Sequence, residues 1–243
     1  MCVIWIIVAL ISALGGFVQT VTGFGGVVTM MLVLPYFFSV VDAATLALTV
    51  NMALCMVLCW QYREHLDLRT VLPPTIVYTI VHLLVLQGVD RVDTSRMKLV
   101  FGVFLIVLSL YYLLAAKRVR VKPKPVIGVA CGAFSGTTSA FFAIGGPPMA
   151  IYFLAATKSY FSYVACMQFM FVVTTAVSLT GRAVAGLYQF SFLPYAVLGS
   201  VTMLAGMRLG QQVCHKLNAD RMRLLAYLFV GLSGVIFLLQ NFL

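Results

Sequence analysis

The chain has 243 residues, 63% of them hydrophobic and only 9% charged, too few charges to clothe a soluble globule of this size. A soluble enzyme and a nucleic-acid-binding domain are therefore excluded. The net charge of +10 belongs to the loops, where Lys and Arg report membrane orientation before they report a partner.

The charged positions cluster and leave charge-free runs at 43–62, 70–89, 99–116, 159–181, 183–207 and 224–243. Each suits one bilayer crossing, which takes roughly 20 apolar residues. Residues 1–41 and 125–157 form two longer runs. In the first, residues 3–38 are too many for one crossing and too few for two crossings with a turn, and Thr22-Gly23-Phe24-Gly25-Gly26 stands where a helix would break. Gly costs about 1 kcal/mol in a helix interior and Pro about 3. The pattern predicts a re-entrant hairpin over 3–38, followed by spans at 43–62, 70–89 and 98–116, which together make repeat 1, residues 1–116. A basic linker at 117–125, Lys117-Arg118-Val119-Arg120-Val121-Lys122-Pro123-Lys124-Pro125, divides the chain. Repeat 2, residues 126–243, has a second hairpin at 126–156, broken at Ile144-Gly145-Gly146-Pro147-Pro148, then spans at 160–181, 188–207 and 222–241. The expected fold is an all-α polytopic membrane protein of two inverted repeats.

Three features recur in the same order in both halves. Gly16-x8-Gly25-Gly26 matches Gly136-x8-Gly145-Gly146, Ser12/Gly16 falls on Gly132/Gly136, and Asp93-Thr94-Ser95-Arg96-Met97 resembles Asn218-Ala219-Asp220-Arg221-Met222. With hairpins, one face of the membrane holds 12 of the 16 Lys and Arg; with each long segment as a single crossing the split is even. The positive-inside rule favours hairpins, with both termini outside and the linker in the cytoplasm. Each half then crosses an odd number of times, so the halves lie in opposite orientation. Paired broken helices in inverted halves point to a transport site near the membrane midplane.

The six cysteines have no CxxC spacing and read as small core residues, so no metal or cofactor is implied. No basic n-region suggests a cleavable signal peptide. An intramembrane enzyme would need a nucleophile, base or metal set within the bilayer, and no such set is visible, so the chain reads as a non-enzyme.

Unwound backbone survives in a membrane only inside protein or beside a cavity. Bare amides and the positive end of a half-helix then attract an anion without a buried Lys or Arg. The expected substrate contacts are Gln19, Thr20, Thr22, Gly23, Gly25 and Gly26 in the first half and Thr138, Ser139, Gly145, Gly146 and Pro147 in the second. Ser135 and Thr137 also lie near the second break. Membrane Ser and Thr commonly bond back to their own helix, and the Gly128/Gly132/Gly136 and Gly206/Gly210 rows read as close-packing faces. Asn51 and Gln168, buried mid-span, are either interhelical glue or substrate contacts. His82, deep in a span, is either proton-linked or simply hydrogen-bonded. Arg63 and Arg182, at the ends of equivalent spans on opposite faces, either guard the two mouths as anion-recruiting gates or snorkel to headgroups.

Glycine-rich breaks in both halves of a chain of this length, Gly16-Phe17-Val18-Gln19-Thr20-Val21-Thr22-Gly23-Phe24-Gly25-Gly26 leading to Pro35, then Gly132-Ala133-Phe134-Ser135-Gly136 through Gly145-Gly146-Pro147-Pro148, resemble the sulfite exporter TauE/SafE family. The resemblance implies a transporter of sulfur-containing anions such as sulfite, sulfoacetate or other organosulfonates in a bacterial plasma (inner) membrane. Val27 and Pro147 stand where the fuller pattern has a third glycine. The implied partners are a small anion and the lipid bilayer, with a homodimer left open. The competing readings are a non-catalytic membrane subunit and a transporter or channel for an unrelated small anion.

Overall fold

A computed structural model describes residues 2–86, 124–184 and 190–214, with isolated positions beyond them, among them Phe229. The expected spans at 98–116 and 222–241, and the linker at 117–125 up to Lys124, lie outside the continuously described residues. Within those residues the chain is helical, with no strand. The helices are α1 (Cys2–Thr22), α2 (Gly26–Met31), α3 (Val40–Gln61), α4 (Leu68–Leu86), α5 (Pro125–Phe142), α6 (Gly146–Ala156), α7 (Tyr160–Val184) and α8 (Leu193–Cys214). Four stretches, Val3–Thr22, Val40–Gln61, Leu68–Leu86 and Tyr160–Val184, are long and apolar enough to cross a membrane. At about 1.5 Å per residue, α1 alone could approach the thickness of a bilayer core.

Local chemistry accounts for the boundaries. Ser39 caps α3, its hydroxyl accepting from the Asp42 amide. Asp67 opens α4 by accepting from the amides of Arg69 and Thr70 and from the Thr70 hydroxyl. Pro125 and Pro147 sit in first turns, where the missing N–H costs nothing. Pro73 and Pro74, near the start of α4, are carried inside the helix.

Two breaks interrupt the helices. Between α1 and α2, Gly23 (φ 86°) and Gly25 (φ 107°) take left-handed conformations that only glycine adopts easily. Between α5 and α6 the left-handed position falls on Ala143 (φ 57°), with Gly145 in the α6 cap.

Helices meet in matching pairs. Helix α1 lies along α8 and α5 along α4, while α3 packs on α7. A β-carbon on Gly16 would strike the Met203 carbonyl, and one on Gly136 the Tyr78 carbonyl. One turn earlier Gly132 faces the Pro74 carbonyl, and Gly199 faces the side chains of Val50 and Ser12. These small residues let backbones approach as far as sterics permit.

Aromatic contacts fix the ends of the elements. Trp5, at the start of α1, and Phe38, just before α3, both pack on Tyr195 at the start of α8 (centroids 4.4 and 5.9 Å). The two ends of the segment that holds the first break therefore pack on the same residue. Phe161, at the start of α7, stacks on Tyr62 at the end of α3 (5.6 Å), and Gly128 in α5 faces Tyr152 in α6.

Candidate functional site

Both breaks open onto one cavity of about 460 Å³, counting its mouth, between α3, α4 and α7. Its lining brings together Gln19, Gly25, Asn51, Ser139, Gly145 and Gly146 from the residues expected in the sequence. It adds Phe24, Val27 and Val28 at the first break, Ala143 and Ile144 at the second, Leu48 on α3, Tyr78 on α4, and Phe171, Thr174, Thr175 and Ser178 on α7. Among the described residues no charged side chain lines it.

The two breaks are braced differently. At the first, side chains from α7 occupy the freed carbonyls: the Tyr160 hydroxyl donates to Val21 (2.7 Å), Tyr163 to Thr22 (2.7 Å) and the Gln168 amide to Gly23 (2.9 Å). Gln19 accepts from the Gly26 amide (2.9 Å) and donates to Gln168 (3.0 Å) and to Cys55 Sγ (3.2 Å). Asn51 also donates to Cys55 Sγ, and its own carbonyl oxygen is buried with no partner among the described residues. At the second break the helix end is closed by a backbone bond, the Ala143 amide donating to the Ser139 carbonyl (2.9 Å).

Amides remain unused at both. Among the described residues Gly25, Val27 and Val28 at the first break, and Ile144, Gly145 and Gly146 at the second, donate to no protein oxygen, and all six line the cavity. The α6 start is thin in donors because Pro147 and Pro148 have no N–H. The site therefore offers backbone amides and helix N-termini from two directions, supplemented by the hydroxyls of Tyr78, Ser139, Thr175 and Ser178. Such a surface binds an oxyanion by hydrogen bonding and partial charge, without a compensating cation.

The other expected contacts lie behind this surface. Thr20 bonds back to the Gly16 carbonyl and Thr22 to Val18, Thr138 reaches Ser135, and Thr137 reaches Ala133. Gly23 lies under the Tyr163 ring, Gly26 faces Gln19 and Asn51, and Pro147 is buried at the head of α6. Gln168 is buried between Gln19 and Gly23, bracing the break from behind. Cavity hydroxyls on α7 were missed in the sequence; the signal was there in Thr174 and Ser178, four apart and thus on one helix face.

Arg63 and Arg182 stand at opposite ends of α3. Arg63 is exposed, donates to the Trp60 carbonyl and lies over the Trp60 ring (4.4 Å). Arg182 is half-buried and donates to the Val41 carbonyl (3.2 Å) and Thr45 hydroxyl (3.0 Å) across the α7–α3 interface. His82 is 3% exposed, one turn beyond Tyr78.

The model of the sulfite exporter TauE/SafE family matches residues 8–237, nearly the whole chain. The chain belongs to the sulfite exporter TauE/SafE family. No curated protein and no solved structure matches it. TauE/SafE membership makes it an integral membrane transporter of sulfur-containing anions.

Proposed function

We propose that the chain exports small sulfur-containing anions, sulfite or organosulfonates such as sulfoacetate, by alternating access around two hairpin tips. The observation that carries this reading is the convergence of unused amides from both breaks on one uncharged cavity. Gln19, Gly25, Asn51, Ser139, Gly145 and Gly146 contact the anion; Gln168, Thr20, Thr22, Gly23, Gly26, Thr138 and Pro147 hold the breaks in shape.

Geometry supports inverted halves. Trp5 and Phe38 share Tyr195, as a hairpin that re-enters on one side requires. Helix α5 runs along α4 with Gly132 beside Pro74 and Gly136 beside Tyr78, so the second half sets out from the opposite face. The exchange of α1–α8 for α5–α4 is what a two-fold relation between halves produces. The positive-inside rule supports an Arg63 end in the cytoplasm and both termini outside, and the reading takes the membrane to be a bacterial inner membrane. Side chains lie on both flanks of the cavity: Tyr160, Tyr163 and Phe24 toward the Arg63 end, and a layer of Ala44, Leu48, Ala143 and Leu179 toward the Arg182 end.

An inside-negative potential drives anion export by about 2.3 kcal/mol per charge per 100 mV, which makes uniport sufficient. The test is flux of sulfite, sulfoacetate, taurine and sulfate from loaded, reconstituted vesicles with and without an imposed potential. Sulfite or sulfonate efflux that accelerates when the lumen is negative is expected. Absence of flux for every anion overturns the reading.

A further inference from the structure

The cavity does not end the polar path through the molecule. Tyr78 on α4 and Thr174 on α7 both line it, and further along the same two helices Leu86 meets Gly181. The helices therefore run side by side in the same direction, and His82 stands level with Ser178, between the cavity and Arg182. The Tyr78 and His82 rings lie nearly parallel with centroids 6.2 Å apart.

Three nitrogens along this path have no hydrogen-bond partner among the described residues: Nδ1 and Nε2 of His82 and Nε of Arg182, all buried. Arg182 is held at its other end by two uncharged oxygens, the Val41 carbonyl and the Thr45 hydroxyl, so no described carboxylate neutralises it. A buried guanidinium N–H and a buried imidazole N–H left without an acceptor are costly unless a ligand supplies one. The missing group must be an acceptor, negatively charged, and able to reach a guanidinium Nε–H.

We propose that Arg182 and His82 form a second, outer anion-binding station one helical turn beyond Ser178 at the cavity's edge, taking an oxyanion through the Arg182 Nε–H. This rests on the transport reading given above: the station receives the anion on the external side of the apolar layer formed by Ala44, Leu48 and Leu179, and Arg182 stays latched to α3 by its terminal nitrogen. Arginine is required there because lysine presents a single point donor and cannot grip α3 and an oxyanion at once. The same chemistry would also take a lipid phosphate, which the experiment separates.

Binding and flux are measured apart. Equilibrium binding of radiolabelled sulfite to purified full-length protein in lipid-free detergent is expected to show a second anion per chain beyond the one in the cavity. Arg182→Gln and His82→Gln each remove or weaken that second anion by about ten- to hundredfold, the scale of one lost charge-assisted hydrogen bond, and leave the cavity anion in place. Arg182→Lys, which keeps the charge, weakens it less. Gly145→Val does the reverse, losing the cavity anion and keeping the outer one. Equal stoichiometry and affinity in wild type, Arg182→Gln and His82→Gln overturns the station, as does Arg182-dependent binding of phosphatidylglycerol, added back to the detergent, that excludes the second sulfite. Flux reports on the other question: wild-type vesicles that bind two anions and transport none would overturn the transport reading and leave the station standing.

Discussion

At the scale of single residues, Gln19 shows how a membrane protein keeps an unwound turn. Its carbonyl takes the Gly26 amide while its nitrogen is shared by Gln168 and Cys55, and Gln168 in turn holds the Gly23 carbonyl. Replacing Gln168 with Leu strands that carbonyl and half of Gln19 in a buried setting, so thermal unfolding in detergent is expected to show a loss of about 1–3 kcal/mol. Gly25 answers a different demand. Its left-handed φ and the Phe229 ring beside it leave no room for a side chain, so Gly25→Val is expected to abolish sulfite flux while membrane insertion, followed by fractionation, persists. The breaks at Gly23–Gly26 and Gly145–Pro148 were legible in the sequence because helix-breaking residues in an apolar run have few other uses. The division of labour around them was not. Thr20 and Thr22 look as polar in sequence as Thr174 and Ser178; Thr20, Thr22 and Thr174 all bond back to their own helix, and only the packing of α7 brings Thr174 and Ser178 to the cavity.

At the scale of helices, small residues set how closely the elements pack. Gly206 in α8 rests against the Ala13 carbonyl of α1, and a methyl group there has nowhere to go without separating the pair. Gly206→Ala is expected to lower stability by about 1–3 kcal/mol, read from the unfolding midpoint in detergent. The hydrophobic runs showed where helices would stand, and Gly206/Gly210 showed one packing face. Gly16 and Gly136 were legible as small residues, yet their partners, Met203 and Tyr78, carry no sequence signal: what matters at both is a backbone carbonyl, which every residue has. Asp67 caps α4 at the membrane edge. The Thr70 hydroxyl, ahead of the Thr70 and Arg69 amides, holds its carboxyl below the usual carboxylate range. A depressed folded pKa means that the cap's contribution is present above the ordinary carboxylate pKa and lost as pH falls through the lower folded value. Asp67→Ala is expected to cost about 1 kcal/mol in unfolding experiments at neutral pH and progressively less in strong acid.

At the scale of the whole molecule, the claim most exposed to test is that the halves face opposite ways. Single cysteines introduced at Arg63 and Arg182, in a background lacking the native ones, are expected to react with a membrane-impermeant maleimide from opposite sides of oriented vesicles. Labelling of both from the same side would dismantle the inverted arrangement. The two ends are not equivalent in detail, however: one arginine lies open on its own tryptophan, the other is wedged between α7 and α3. That inequality has a kinetic corollary. A passive carrier obeys detailed balance, so without a voltage the ratio of maximal velocity to half-saturating concentration must be the same in both directions. The entrance that grips its cargo more tightly must then be the one that turns over more slowly.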